Sequence, residues 1–170
     1  VKTPKGTEIL SGYSWESKGL RETLISLPGL TLFDDGDVAT FDKILKTAVK
    51  IYANQLYNGS RQVEAALWMF WVAQQYAAFT GDAQGAWDKF KAILKKIADS
   101  FIEGGRMGVS LNKDNGMLWT KMNGVALSWM NAYGSNSLPI AERGGYQVET
   151  NALWYNALCY LVENETKYGK

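Results

Sequence analysis

The chain has 170 residues, enough to bury one core and too few for two. Eighteen Lys and Arg stand against seventeen Asp and Glu, so a net charge of +1 supplies no field to draw nucleic acid or an anionic membrane. Histidine is absent, which excludes Ser-His-Asp and Cys-His catalysis and removes the commonest zinc ligand; neither a metal nor a cofactor is expected. Residues 1–11 are polar and carry Gly and Pro, and read as a tail before a single domain over 12–166. From Arg21 to Phe33 apolar residues recur at helical spacing, and Pro28-Gly29 predicts a kinked or short helix. Asp34-Asp35-Gly36 is a turn, and Asp37 is placed to cap the next helix. There Val38, Phe41, Ile44, Leu45, Ala48, Val49, Tyr52 and Leu56 form one stripe with lysines opposite, the pattern of a half-buried helix.

Asn58-Gly59-Ser60 ends that stripe. Residues 63–79 differ in kind, because Ala65 to Ala73 are apolar all the way round and such a helix has to be buried on every side. Trp68 and Trp71 on it read as core. Asp82 starts the next helix, whose stripe (Trp87, Phe90, Ile93, Leu94, Ile97, Phe101) faces one way until Gly104-Gly105. Amphipathic helices alternating with an all-apolar one suit two concentric helical layers. Residues 107–119 alternate about Asp114-Asn115-Gly116, a hairpin signal with too few oxygen ligands for calcium. A loop through Gly134, Pro139 and Gly144-Gly145 leads to a last predicted helix over 148–162. Within it Cys159, the one cysteine, reads as a small core residue, compatible with a reducing interior and a cytoplasmic setting. No uninterrupted apolar run reaches spanning length.

Residues 119–158 mix aromatics with carboxylates and amides and set a long polar loop directly before an apolar helix. That arrangement suits the mouth of a polar ligand pocket, and equally an aromatic loop packed on a core. Trp119, Trp129 and Trp154 offer flat faces for a sugar ring, or core packing. Glu149 opens the last helix, where a carboxylate also complements the positive end of the dipole. Arg21-Glu22 is either a ligand-gripping pair or an ordinary ion pair.

Four motifs carry a resemblance. Gly12-Tyr13-Ser14-Trp15 followed by Arg21-Glu22-Thr23 and Ser26-Leu27-Pro28-Gly29-Leu30 resembles the Gly-Tyr-Pro-Trp, Arg-Asp-Thr and Ser-Leu-Pro-Gly-Leu signature of the amylo-α-1,6-glucosidase domain of glycogen debranching enzymes. Val63-Glu64-Ala65-Ala66-Leu67-Trp68-Met69-Phe70 resembles that family's Asp-Ala-Pro-Leu-Trp-Phe-Phe helix, and Trp129-Met130-Asn131-Ala132 its Trp-Met-Asp-Ala. The run from Val148 to Leu158 is similar to its Val-Glu-Ile-Asn-Ala-Leu-Trp-Tyr-Asn-Ala-Leu almost residue for residue.

The resemblance implies an all-α fold, part of an (α/α)6 toroid with alternating inner and outer helices and a short β-hairpin insertion near 107–119. It implies inverting hydrolysis of α-1,6-glucosyl stubs on a branched α-glucan such as glycogen or limit dextrin, by one carboxyl acting as acid and another as base. Arg21, Glu22 and Glu64 occupy the positions that hold the terminal glucose, with Trp119, Trp129 and Glu149 as further substrate contacts. Glu22 and Glu64 each replace an aspartate and keep its charge. Asn131 occupies the general-acid position, and an amide has no titratable proton to give; Glu142 and Glu149 are the carboxylates near enough in sequence to stand in. The resemblance covers about half of a twelve-helix ring and leaves the base outside the chain. Residues 63–79 would then lack a partner unless the remainder of the catalytic domain or a second copy covers them. Three readings are open: a segment of a debranching glycoside hydrolase, a non-catalytic α-glucan-binding or assembly module, and a helical interaction domain without a sugar site.

Overall fold

The computed structural model describes residues 1–13, 19–34 and 36–169. Ser14 and Trp15 of the first motif and Asp35 of the predicted turn lie outside the described residues. The fold is mainly helical, with two small antiparallel strand pairs. No helix among the described residues is long and apolar enough to cross a membrane.

The first helix, α1 (Leu20–Pro28), buries Leu20, Leu24 and Leu27, one side at the spacing of successive turns. The expected break at Pro28-Gly29 is instead a widened, π-type turn over Gly29–Phe33 that continues the coil. Proline lacks the amide the α-helical ladder needs, and the Thr31 hydroxyl donates to the Leu27 carbonyl at 2.6 Å across the altered turn. Helix α2 (Val38–Ile51) starts as expected, with the Asp37 carboxylate accepting from the Thr40 amide at 2.8 Å. It buries Phe41, Ile44, Leu45 and Ala48, then breaks at Tyr52, so that Leu56 belongs to a separate short helix, α3 (Ala53–Tyr57).

The all-apolar segment begins later than its composition suggests. A single 3-10 turn (Ala65–Leu67) precedes α4 (Trp68–Thr80), which ends on Gly81 in the left-handed conformation at φ +66°. Helix α4 is the centre of the fold, packed by α1 on one side and by α5 (Ala83–Ile102) and α6 (Val148–Tyr168) on others. The unpartnered surface expected on it is therefore not there. Met69, Phe70, Val72 and Ala73 are fully buried, and Trp68 and Trp71 pack against the core as half-buried rings. Asp82 caps α5 by accepting from the Gly85 amide at 2.8 Å, and Trp87, Phe90, Leu94, Ile97 and Phe101 face inward.

Helix α6 runs past its expected end. Thr150, Trp154, Ala157, Tyr160 and Asn164 form its inner face. Cys159 stands two residues past Ala157, about 200° further round, and is exposed rather than core. It shares the outward stripe with Val148, Ala152, Tyr155 and Val162.

The opening residues, expected as a tail, carry a hairpin: β1 (Lys2–Thr3) pairs with β2 (Gly6–Thr7), and Ile9 packs on the core. Gly6, at φ +138°, lets this hairpin lie against α2, since a Cβ there would sit 2.4 Å from the Thr47 hydroxyl. The expected second hairpin is present as β3 (Val109–Leu111) and β4 (Leu118–Thr120), turning at Asp114-Asn115-Gly116 with Leu111 opposite Leu118. A long loop then leaves β4 and returns to it, because Thr120 and Gly145 exchange two backbone hydrogen bonds of 3.0 and 2.8 Å.

Candidate functional site

The first turn of α1 points Arg21 toward the segment that precedes α4. Its Nη1 donates to Glu64 Oε1 at 3.1 Å, while its Nε and Nη2 donate to Glu22 Oε1 at 2.9 and 2.5 Å. Glu22 bends back over Gly19, where a Cβ would stand 1.8 Å from its Oε2. Glu64 is only 2 % exposed. Burial raises its carboxyl above the usual range, the Arg21 hydrogen bond and charge pull the other way, and the charge of Glu149 adds to the rise. One oxygen of each carboxylate, Oε2 of Glu22 and of Glu64, is buried and lacks a hydrogen-bond partner.

Beside this triad lies a polar hollow of about 490 Å³, lined by Ser11, Gly19, Arg21, Glu22, Gln55, Ser60, Arg61, Gln62 and Asn131. Three stretches distant in sequence, around Arg21, Arg61 and Asn131, meet there, and Asn131 is exposed on its wall. Glu64 sits behind Arg21 and steers it, rather than lining the hollow. Arg61 lies over the Tyr133 ring at 5.9 Å, and the Tyr133 hydroxyl accepts from the Ala126 amide at 3.1 Å, so this face of the hollow is tied to the long loop.

Two residues before Asn131, Trp129 donates its indole N–H to Glu149 Oε1 at 3.1 Å. Arg143 grips both oxygens of the same carboxylate, with Nη2 to Oε2 at 3.1 Å and Nη1 to Oε1. The Arg143 hydrogen bond holds Glu149 below the ordinary carboxylate range, helped by Trp129. Glu149 is thus kept ionised, which suits an anchor and opposes a proton donor. Glu142 accepts from the Gly124 amide at 3.4 Å on the loop surface.

The remaining candidates separate. Trp119 faces a second hollow with Lys121, Met122, Glu142, Arg143 and Gly144, not the one that holds Arg21. Trp154 is core: its ring lies 5.5 Å from that of Phe101 and its N–H donates to the Gly116 carbonyl at 3.1 Å. The amides of the last motif are staples rather than ligand contacts. Asn151 Oδ1 accepts from the Leu118 amide at 2.8 Å and its Nδ2 donates to the Leu118 carbonyl at 3.0 Å, so one side chain plays a neighbouring strand. Asn156 and Gln74 exchange amide bonds of 2.9 and 3.2 Å between α6 and α4. Sequence reasoning does not single out Gln55, Ser60, Arg61, Gln62 or Arg143. The signal available for Arg61-Gln62 is a polar pair directly before an all-apolar run, the place where a buried helix meets its mouth.

A helical scaffold with a hollow walled by arginines, amides, hydroxyls and a carboxylate is of the kind that presents matched donors and acceptors to a polyhydroxylated ligand. The chain belongs to the amylo-alpha-1,6-glucosidase family, whose family model matches residues 1–169. No curated protein and no solved structure matches it significantly.

Proposed function

We propose that the Arg21 hollow is the terminal-glucose site of a debranching-type α-1,6-glucosidase fold in which Asn131 occupies the place of the general acid. The observation that supports this reading most is that Arg21 and Glu22 of one motif and Asn131 of another wall a single cavity. Glu22 and Glu64 pin the Arg21 guanidinium, whose planar fork then meets sugar hydroxyls in a set orientation. Glu22 lines the hollow and keeps one carboxylate oxygen out of its bond to Arg21, an acceptor that a small turn of the side chain would offer to a sugar hydroxyl. Inverting hydrolysis needs one carboxyl to protonate the leaving oxygen and another to activate water. The Asn131 amide can donate a hydrogen bond to that oxygen but transfers no proton, and Glu149 is held ionised by Arg143. The site as it stands binds a branch terminus and does not cleave it efficiently. In the toroidal arrangement this family membership favours, the outward stripe of α6 is the surface that further helices or a second copy would cover.

Calorimetric titration with isomaltose tests the reading: wild type takes up the sugar, Arg21→Ala weakens uptake more than tenfold, and absence of heat with wild type refutes it. Glucose release from limit dextrin by Asn131→Asp, with the polypeptide that carries the base present, then tests the acid's position.

A further inference from the structure

Trp119 does not belong to the Arg21 hollow, yet its setting is that of a ligand contact. Strand β4 holds its backbone opposite Ser110, and the Tyr146 ring meets the indole edge-on at 5.0 Å and 84°. The Tyr146 hydroxyl is itself held, accepting from Asn112 Nδ2 at 2.6 Å. An indole braced in this way loses little freedom when a ligand arrives. It nevertheless stays 42 % exposed and borders a hollow of about 400 Å³ with Lys121, Glu142 and Arg143 around it. A flat aromatic face ringed by charged donors and acceptors is the arrangement that stacks on the C–H face of a pyranose and hydrogen-bonds its rim. Stacking leaves both ends of a sugar unit open, so the surface suits a unit inside a chain better than a terminus.

A chain of hydrogen-bonded side chains links the walls of the two hollows. Arg143 borders the Trp119 hollow and clamps Glu149, Glu149 accepts from Trp129, and Asn131 two residues on lines the first hollow. We infer that the Trp119 hollow is a second sugar subsite, taking an interior α-glucosyl unit of the chain that bears the branch, while the Arg21 hollow takes the branch terminus. This rests on the glucose reading of the Arg21 hollow for its choice of sugar, but its residues are separate and are tested separately.

The experiment titrates the whole chain with linear maltopentaose and with isomaltose. Trp119→Ala is expected to weaken maltopentaose binding about tenfold, the scale of one lost aromatic stack, and to leave isomaltose unchanged. Trp119→Phe, which keeps a ring on the strand, retains maltopentaose affinity to within about threefold. Arg21→Ala does the reverse, losing isomaltose and keeping maltopentaose. Because β4 is short, the exposed pair Lys121→Ala and Glu142→Ala serves as a second probe and weakens maltopentaose alone. If neither Trp119→Ala nor that pair alters maltopentaose binding while Arg21→Ala still abolishes isomaltose binding, the second subsite is overturned and the first stands. Wild type that binds neither sugar overturns both.

Discussion

Removing Arg21 isolates the buried carboxylate it serves. In the Arg21–Glu64 pair the side chains are 15 % and 3 % exposed, so Arg21→Ala leaves Glu64 charged, buried and without its cationic partner. Breaking such a pair costs about 3 kcal/mol, the lower end of the usual range because Arg21 keeps some contact with water. Glu64 already titrates above its unfolded value because of burial, and a backbone hydrogen bond of its own and the Arg21 hydrogen bond and charge oppose that rise. A carboxyl with a raised folded pKa contributes stability that is complete below its unfolded value and is lost as pH rises through the folded one. Without Arg21 the folded value moves higher still. The deficit of the variant therefore grows with pH, by up to about 1.4 kcal/mol per unit wherever Glu64 is ionised in wild type and protonated in the variant. Urea unfolding at pH 5 and pH 8 measures this, with Arg21→Ala/Glu64→Gln as the control that removes the stranded charge and recovers most of the loss at pH 8. A deficit equal at both pH values, or a double variant no more stable than Arg21→Ala, would refute the electrostatic account of the triad.

Arg106 is 4 % exposed; it donates to the carbonyls of Leu56 and Gln55 at 2.8 and 3.0 Å, and its guanidinium lies 4.1 Å from the Phe101 ring. Arg106→Met orphans both carbonyls and is expected to cost about 3 kcal/mol in urea unfolding, with weaker isomaltose binding because Gln55 lines the hollow. Gly108 holds φ +68°, and a Cβ on it would meet Leu127 Cδ1 at 2.6 Å, so Gly108→Ala is expected to lose about 2 kcal/mol and several degrees of melting temperature. Glu149 has a depressed pKa, so its contribution is present above its unfolded value and lost as pH falls through the folded one. Glu149→Gln is expected to cost about 0.5–1 kcal/mol at pH 7 and nothing at pH 2, read from melting curves across pH.

Periodicity and caps make α2 and α5 legible, because their stripes are local and the Asp37 and Asp82 side chains bond amides three residues on. The N-terminal hairpin is not legible: it depends on Gly6 meeting Thr47, a contact that no local pattern records. Pattern alone misplaces Cys159 because in a helix apolar on several sides the inner face is chosen by neighbours, here Phe101 and Trp87 receiving Trp154 and Tyr160. For the hollow, composition offers nothing, and only the motif resemblance singles out Arg21, Glu22 and Asn131. Asn151 and Trp154 show why polar-aromatic runs mislead. A side chain that bonds a distant backbone carbonyl has the same letters as one that bonds a ligand.

The mutual backbone bonds of Thr120 and Gly145, reinforced by Gln147 Nε2 donating to the Thr120 hydroxyl at 2.8 Å, tie off the long loop as a noose at its neck. Inside that knot, added residues change only the entropy of an already closed ring, and doubling a flexible loop costs about 0.6 kcal/mol. The helical frame is thus insulated from residues grafted at the loop's exposed tip, 135–138, while Ala126, Leu127 and Ser128 stay buried at its base. Evolution or an engineer can redraw the rim that meets the ligand without renegotiating the core.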